Sequence, residues 1–198
     1  MCGIAGFYNP HDHYLKEKIH YETVLADMAG RQRHRGPDDS GLYLAEHGGL
    51  SHARLSIIDL SGGRQPMVKS GSGQTFAIVY NGELYNTEEL RQDLIRCGRS
   101  FQTSSDTEVI LTGYMEYGPE FVKQLNGIFA FAILDTAKNR LCLFRDRSGV
   151  KPLFYMVRGQ EIIFASEPKG IFAYPGIRPR LDKKGLNEIF SIGPARTY

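Results

Sequence analysis

Four strand-like runs follow one another in the second half of the chain, and they restrict the fold more than any other feature of the sequence. Each run is rich in apolar residues, and only a short polar or glycine-containing stretch separates it from the next. The runs are Ile128–Leu134, Arg140–Phe144, Leu153–Val157 and Glu161–Ala165. Parallel strands need long crossover connections, so these short connections predict a mainly antiparallel sheet.

In the first half, strand patterns alternate with helix patterns. Strands are predicted at Cys2–Tyr8, Gly41–Leu44, Leu50–Ile58 and Thr75–Tyr80. A continuous apolar run such as Ile128–Ile133 is typical of a strand that is covered on both faces. We therefore expect an α+β fold in which two mainly antiparallel sheets pack face to face and helices cover them.

Three helices are predicted from apolar spacing and end signals. They cover Tyr21–Gly30, Leu90–Arg96 and Val109–Tyr117. Capping boxes at Asn86–Glu89 and Ser105–Glu108 precede the second and third helices, and Gly98 and Gly118 end them. The dipeptide Asn81-Gly82 predicts a sharp turn after its strand.

Chain length, cysteine content and hydropathy indicate the number of domains and the cellular compartment. With 198 residues, the chain suits one domain, or one domain and part of another. Its three cysteines, Cys2, Cys97 and Cys142, show no paired spacing, so we expect a reducing compartment, the cytoplasm. The chain has neither a signal-like N-terminus nor an apolar run of about 20 residues, so no membrane association is expected.

Charge and histidine spacing argue against two further classes of partner. A net charge of +2 is too small to predict a nucleic-acid surface. The local basic cluster consists of Arg31, Arg33, His34 and Arg35. His11 and His13 lack further ligands at close spacing, so no metal site is predicted.

Cys2 directly follows the initiator Met1. Because cysteine is small, Met1 can be removed after synthesis, which leaves a thiol and a free α-amine on one residue. A cysteine thiol ordinarily has a pKa of about 8.5 and an α-amine one of about 8, so an α-amine can accept the proton of a neighbouring thiol. Alternatively, Cys2 is a small buried residue at the start of a strand. On Cys2 alone the second interpretation is favoured, because cysteine is among the most often buried residue types.

Nine segments occur in an order that resembles a known family. They read MCGIAGF, HRGPDDSG, HARLSIIDL, GGRQPM, YNGELYN, SDTEVIL, LNGIFAFAI, RDRSGVKPLFY and FASEPKGI. Together they resemble the glutamine amidotransferase domain of the N-terminal nucleophile hydrolases. HRGPDD and RDRSGVKPLFY resemble glutamine-hydrolysing asparagine synthetases in particular. The resemblance covers nearly the whole chain and implies a four-layer αββα sandwich, in agreement with the predicted antiparallel sheets.

The resemblance implies a reaction and the residues that perform it. Cys2 would attack the side-chain amide of L-glutamine, releasing ammonia and leaving a γ-glutamyl thioester that water hydrolyses to glutamate. Its own α-amine would act as the base. The side-chain amide of Asn81 and the backbone N–H of Gly82 would form the oxyanion hole. Without the resemblance, Asn81-Gly82 is simply a hairpin turn.

Further residues would hold the two charged groups of glutamine. Arg54 matches the family arginine that binds the carboxylate in a bidentate pair. Glu83 and Asp106 match positions on the ammonium side, although Asp106 also suits a helix N-cap. The strand residues Leu55, Ser56, Ile57 and Ile58 are expected to contribute backbone contacts.

Two charged segments are predicted to be structural. The resemblance places His34–Asp38 in a loop beside the site, where Arg35 and Asp38 would hold each other and the nearby backbone. Arg145, Asp146 and Arg147 precede Gly149, and they are expected to form a charged turn that pins strands.

The resemblance also implies a domain arrangement. Residues 1–192 would form the glutaminase domain, and residues 193–198 would begin the connection to a synthetase domain beyond this chain. No cofactor is expected in the glutaminase domain, whereas ATP and Mg would belong to the synthetase domain. The expected partners are L-glutamine and the synthetase domain, and a homodimer is left open. The alternatives are an amidotransferase domain with a sugar-phosphate or phosphoribosyl acceptor, and a non-catalytic glutamine-binding module.

Overall fold

The computed structural model of the protein describes residues 1–55, 63–71 and 73–193. Within these residues, nine strands form two sheets. The strands are β1 Gly3–Tyr8, β2 Asp39–Ala45, β3 Gly48–Arg54, β4 Met67–Gly71, β5 Gln74–Leu84, β6 Gly127–Asp135, β7 Arg140–Arg145, β8 Phe154–Arg158 and β9 Glu161–Ala165. One sheet has the order β2-β3-β1-β9-β8 and the other β4-β5-β6-β7. Neighbouring strands run antiparallel in both sheets, which confirms the predicted pairing.

The described residues form five α-helices instead of the three predicted. They are α1 Lys18–Gly30, α2 Thr87–Arg96, α3 Asp106–Tyr117, α4 Pro168–Ile171 and α5 Lys183–Ile192, with short 3₁₀ helices at Tyr14–Glu17 and Gly118–Gln124. The predicted helices correspond to α1, α2 and α3, and each of these begins three residues earlier than expected. Cys2 precedes β1 instead of opening it, and the predicted strand end at Ser56–Ile58 lies outside the described residues.

Three apolar layers hold the elements together. One layer joins α1 and α4 to the five-stranded sheet through Phe7, Leu25, Met28, Ile163 and Ile171. Another lies between the sheets and contains Ile4, Leu50, Val79, Ala132 and Phe164. The third joins the four-stranded sheet to α2 and α3 through Ile78, Leu94, Ile110 and Phe131. This arrangement is the predicted four-layer αββα sandwich.

The predicted turn at Asn81-Gly82 is wrong. Strand β5 continues through both residues, and they pair with Ala130 and Phe129 of β6. Neither residue is among those with positive φ in the described part of the chain. A Cβ at Gly82 would lie 2.5 Å from the backbone oxygen of Ile128 and 2.8 Å from Cβ of Phe129. Glycine is therefore required here for the close approach of two strands and not for a turn.

The predicted capping boxes form only in part. The hydroxyl of Ser105 caps α3 by accepting a hydrogen bond from the backbone N of Glu108 at 3.3 Å. The Glu108 carboxylate does not complete the box, because it accepts from the backbone N of Thr103 at 2.7 Å. Asn86 makes no side-chain cap on α2, and its amide bonds to Asn126 N and Gln124 O. Asp106 is thus the first residue of α3 and not its cap.

Candidate active site

The layer between the two sheets changes from apolar to polar at one end. Alternate residues of a strand face the same side, so His52 and Arg54 of β3 follow the buried Leu50 on the inner face. By the same alternation, Asn81 of β5 follows Val79. A polar cavity therefore forms where the apolar layer ends.

This cavity has a volume of about 440 Å³. Seven predicted site residues line it: Cys2, Arg54, Leu55, Asn81, Gly82, Glu83 and Asp106. The other three, Ser56, Ile57 and Ile58, lie outside the described residues. A second cavity of about 420 Å³, beside α2, contains none of the predicted site residues. The structure thus gathers every described member of the predicted site in one place.

Cys2 is half-buried and is held at both its side chain and its carbonyl. Its Sγ lies 3.5 Å from the backbone N of Leu55, which donates to it, and 3.7 Å from the backbone O of the same residue. Its carbonyl oxygen accepts a hydrogen bond from Nε of Arg35 at 3.0 Å. Met1 is 56% exposed, and its Sδ lies 4.0 Å from Nη2 of Arg35. Removal would create the free α-amine on Cys2.

Asn81 brings an unused donor into the cavity wall. The residue is 2% exposed, and its Nδ2 is buried with no hydrogen-bond partner among the described residues. A buried donor without a partner costs about 1 to 3 kcal/mol. The carbonyl oxygen of a bound amide would remove this cost, so the position suits an oxyanion hole.

Tyr80, which is not among the predicted site residues, holds the Asp106 carboxylate at the cavity. The hydroxyl of Tyr80 donates to Oδ2 of Asp106 at 2.8 Å. Burial raises the pKa of Asp106, and the hydrogen bond from Tyr80 opposes that rise. The backbone N of Tyr80 in turn donates to Oε1 of Gln65 at 2.6 Å. Asp106 is also in the first turn of α3, where the helix dipole favours a negative charge.

Glu108 fixes the loop that forms one wall of the cavity. Its carboxylate accepts hydrogen bonds from the backbone N atoms of Gln102 and Thr103, and from Nζ of Lys69 at 2.8 Å. Burial opposes ionisation, but these hydrogen bonds lower the pKa of Glu108 to about 2. The adjacent residues Ser104 and Ser105 line the cavity. An anionic Glu108 therefore holds the wall in place.

His52 is a further cavity residue that sequence reasoning missed. It is 1% exposed, and its Nε2 lies 3.3 Å from the backbone oxygen of Tyr80. Because that oxygen can only accept, Nε2 carries the proton. Its Nδ1 is buried and has no hydrogen-bond partner among the described residues. Burial lowers the pKa of His52 to about 4, so the ring is neutral at neutral pH. Its alternation with Arg54 along the strand was the available signal.

The two charged segments lie beside this cavity. Arg35 donates from Nη1 to Oε1 of Glu167 at 2.9 Å, a partner that the sequence did not reveal. In the second segment, the Asp146 carboxylate accepts from the backbone N atoms of Phe129, Val150 and Lys151. The second segment therefore pins strands, as predicted, and it positions Lys151 at the cavity.

The described part of the chain offers neither a metal site nor a membrane-spanning helix. No group of three or more His, Cys, Asp or Glu residues there could hold a metal ion. No helix in the same ranges combines the length and the apolar character that crossing a membrane requires.

Comparison with known proteins gives consistent matches along the chain. A family model for the glutamine amidotransferase domain matches residues 1–197. Asparagine synthetase [glutamine-hydrolyzing] 3 of Bacillus subtilis is 46% identical over 197 residues, which cover 100% of this chain and 31% of that protein. Asparagine synthetase B [glutamine-hydrolyzing] of Escherichia coli is 38% identical over 173 residues, covering 86% of this chain and 30% of that protein. The chain therefore spans about 30% of the length of these curated relatives.

A solved structure shows the same fold. The chain superimposes with a TM-score of 0.68 on glutamine phosphoribosylpyrophosphate amidotransferase of B. subtilis, determined in complex with ADP and GMP. The match covers 87% of this chain and 43% of that one, at 22% sequence identity. At this level of identity, the likeness concerns the fold alone.

Proposed function

Because the chain belongs to the family of glutamine amidotransferase domains, we propose that it hydrolyses the side-chain amide of L-glutamine to glutamate and ammonia. One observation carries this proposal: Cys2 and Asn81 line the same cavity, and Nδ2 of Asn81 has no hydrogen-bond partner among the described residues. A nucleophile and a fixed donor for the developing oxyanion are the two groups that amide cleavage requires. The cavity volume of about 440 Å³ suits a ligand of this size.

Cleavage proceeds in two steps through a thioester. After Met1 is removed, the α-amine of Cys2 accepts the thiol proton as Sγ attacks the side-chain amide carbon of glutamine. The amide oxygen becomes negative and accepts hydrogen bonds from Asn81 Nδ2 and Gly82 N. The C–N bond then breaks, the amine returns its proton to the leaving nitrogen, and ammonia departs. Water, deprotonated by the same amine, hydrolyses the γ-glutamyl thioester and regenerates the thiol.

Opposite charges on the cavity wall orient the substrate. Arg54 is a buried residue, and its guanidinium would bind the α-carboxylate of glutamine. Asp106 and Glu83 would bind the α-ammonium group, and the hydroxyl of Tyr80 holds the Asp106 carboxylate in place. Leu55 already contacts Cys2 through its backbone, so its strand end would pass close to the bound substrate.

We further propose that the chain is the glutaminase portion of an asparagine synthetase. The sequence identity of 46% to a relative of that name supports this assignment over a phosphoribosyl acceptor, since the identity to the phosphoribosylpyrophosphate enzyme is only 22%. Ammonia would then pass to an ATP-dependent domain that amidates aspartate and that holds ATP and Mg. The domain boundary near residue 192 remains a prediction, because residues 194–198 lie outside the described ranges.

The proposed cellular setting follows from the same premise. The three cysteines are all free thiols, which fits a reducing cytoplasm. L-glutamine is the proposed substrate and the synthetase domain the proposed partner.

Replacing the nucleophile tests the proposed function. Protein without Met1 should release glutamate from glutamine, and Cys2→Ala should abolish that release because no thioester can form. Cys97→Ala is the matched control, since Cys97 is exposed and does not line the cavity, and it should retain full activity. Intact mass should show the loss of Met1 and a single adduct of a glutamine-like electrophile on Cys2. Full activity of Cys2→Ala would refute the mechanism, whereas glutamine binding without hydrolysis in calorimetry would favour a non-catalytic module.

A further inference from the structure

The connection from β9 to α4 is hydrogen-bonded to β1 two residues after Cys2. The backbone N of Ile4 donates to the hydroxyl of Ser166 at 3.0 Å. The backbone N of Ser166 donates in return to the oxygen of Ile4 at 2.8 Å. The next residue along, Glu167, therefore lies close to the start of β1 although it is more than 160 positions away in sequence.

Glu167 reaches the Cys2 backbone through one intermediate side chain. Arg35 donates from Nε to the Cys2 carbonyl oxygen at 3.0 Å and from Nη1 to Oε1 of Glu167 at 2.9 Å. The Arg35 side chain is 8% exposed, so its guanidinium needs a fixed counter-ion. Glu167 supplies that counter-ion, and it also contacts His34 and Lys169, each at 3.0 Å.

Glu167 keeps its negative charge at any working pH. Partial burial opposes ionisation, but the hydrogen bonds from Arg35, His34 and Lys169 lower the pKa of Glu167 to about 2. The guanidinium of an arginine is a planar group with five N–H donors in a fixed fork. The pair is therefore a permanent and directional link.

This link matters because an N-terminal nucleophile has few restraints. Once Met1 is removed, no peptide bond holds Cys2 from its N-terminal side. The hydrogen bonds of Cys2 in the described structure join Sγ to the backbone of Leu55 and the carbonyl oxygen to Arg35. The hydrogen bond from Arg35 fixes the Cys2 carbonyl. It thereby restrains the Cα atom that carries both the thiol and the α-amine.

On the premise of the proposed glutaminase function, we propose that Glu167 is a positioning residue for Cys2 and acts through Arg35. Without Glu167, the guanidinium would lack its counter-ion and would turn towards other acceptors, which would release the Cys2 carbonyl. The nucleophile would then occupy the attack geometry for a smaller fraction of the time. Glu167 does not line the cavity among the described residues, so glutamine binding itself should be unaffected.

The variants Glu167→Gln and Glu167→Ala test this role by separating kcat from KM. Misplacement of a reacting group by about 1 Å costs roughly 100-fold, so we expect kcat for glutamine hydrolysis to fall about 10- to 100-fold. KM should stay within about twofold, because Arg54 and Asp106 are untouched. Glu167→Gln keeps a hydrogen-bond acceptor and similar volume, so it provides a folded variant if Glu167→Ala unfolds. Unfolding temperatures are measured in parallel.

Two comparisons make the assignment specific. Lys169→Met removes a different ion pair of the same carboxylate, and it should leave kcat within about twofold of the unmodified protein. In an Arg35→Met background, adding Glu167→Gln should lower kcat by less than about twofold, because the link is already broken. Independent, multiplicative losses in the double variant would overturn action through Arg35.

The outcomes separate this inference from the proposed function. If the protein with Met1 removed releases no glutamate from glutamine, the proposed function fails and the inference falls with it. If that protein is active but folded Glu167→Gln keeps its full kcat, the inference alone fails. A fall in stability or a rise in KM without a fall in kcat would also overturn it, since either result indicates a merely structural or binding role.

Discussion

The hydroxyl of Tyr80 donates a hydrogen bond to the carboxylate of Asp106, which is proposed to bind the ammonium group of glutamine. The Tyr80→Phe variant would remove the 2.8 Å hydrogen bond to Asp106 and keep the ring in its apolar surroundings. A hydrogen bond to a charged group contributes about 1.5 to 3 kcal/mol, so KM for glutamine should rise roughly tenfold or more. The value of kcat should change little, because Cys2 and Asn81 are not altered.

The same variant should change how KM depends on pH. Burial raises the pKa of Asp106 and the Tyr80 hydrogen bond opposes that rise, so Tyr80→Phe should raise it further. Protonated Asp106 cannot pair with an ammonium group, so KM should increase more steeply as the pH falls. KM measured across acidic to neutral pH checks this expectation. Tyr155→Phe, at a tyrosine that is 68% exposed, is the matched control and should behave like the unmodified protein. An unchanged KM with a lower kcat would contradict the expectation.

Individual site residues differ in how well the sequence predicts them. Cys2, Arg54 and Asp106 lie in recognisable motifs, and the structure brings them to one cavity. Tyr80 and Glu167 act through partners that are 26 and 132 positions away, respectively. Such partners depend on the packing of distant segments, so no local pattern indicates them.

At the scale of elements, the pairing of β5 with β6 depends on Gly82. A methyl group there would lie 2.5 Å from the Ile128 oxygen and 2.8 Å from the hydroxyl of Tyr80, closer than real contacts allow. We expect Gly82→Ala to force the strands apart and to destabilise the protein by about 1 to 3 kcal/mol. It should also lower kcat, because Asn81 would move with the strand.

Thermal unfolding and glutamate release together check the Gly82→Ala prediction. Gly30→Ala is a suitable control, since a methyl group at Gly30 meets nothing within 4 Å and lies at the end of α1. It should preserve both stability and activity. An unchanged unfolding temperature in Gly82→Ala would show that the strands accommodate the methyl group.

The boundaries of elements are predictable where a local signal has one physical meaning. The strand Glu161–Ala165 matches its prediction at both ends, and Gly118 ends α3 with a φ of +70°. The dipeptide Asn81-Gly82 has two meanings. A glycine supplies either positive φ or room for a close neighbour, and the dipeptide alone does not distinguish them. The neighbour at Gly82 is β6, which lies about 45 positions further along the chain.

At the scale of the whole molecule, the site depends on pairing between the beginning and the end of the fold. Short connections predict antiparallel strands, but they do not predict that β1 pairs with β9, as Ala5 does with Ala165. The strand and helix patterns predict two stacked sheets covered by helices, but they do not assign the strand order that contains this pairing. The pairing carries Ser166 and Glu167 to the start of β1, and it thereby links the last strand to the nucleophile.

The two sheets are also joined by a titratable group that is buried between them. His52 of β3 contacts the backbone oxygen of Tyr80 in β5. Burial lowers the pKa of His52 to about 4, the Arg54 charge acts in the same direction, and the Tyr80 oxygen and Asp39 act against it. In the unfolded chain the histidine pKa is about 6.5. Below that pH the unfolded state therefore binds a proton that the folded state excludes.

The contribution of His52 to the free energy of unfolding should therefore be fully present above about pH 6.5. It should be lost as the pH falls towards 4, a decrease on the order of 3 kcal/mol. Glu108 and Glu167, whose pKa values are lowered to about 2, contribute losses mainly below this window. His52→Gln cannot titrate, so its free energy of unfolding should change less between pH 7 and pH 4.5, as measured by urea denaturation. His11→Gln, at an exposed position, should retain the full pH dependence. Parallel losses in His52→Gln and the unmodified protein would show that His52 does not couple the sheets to pH.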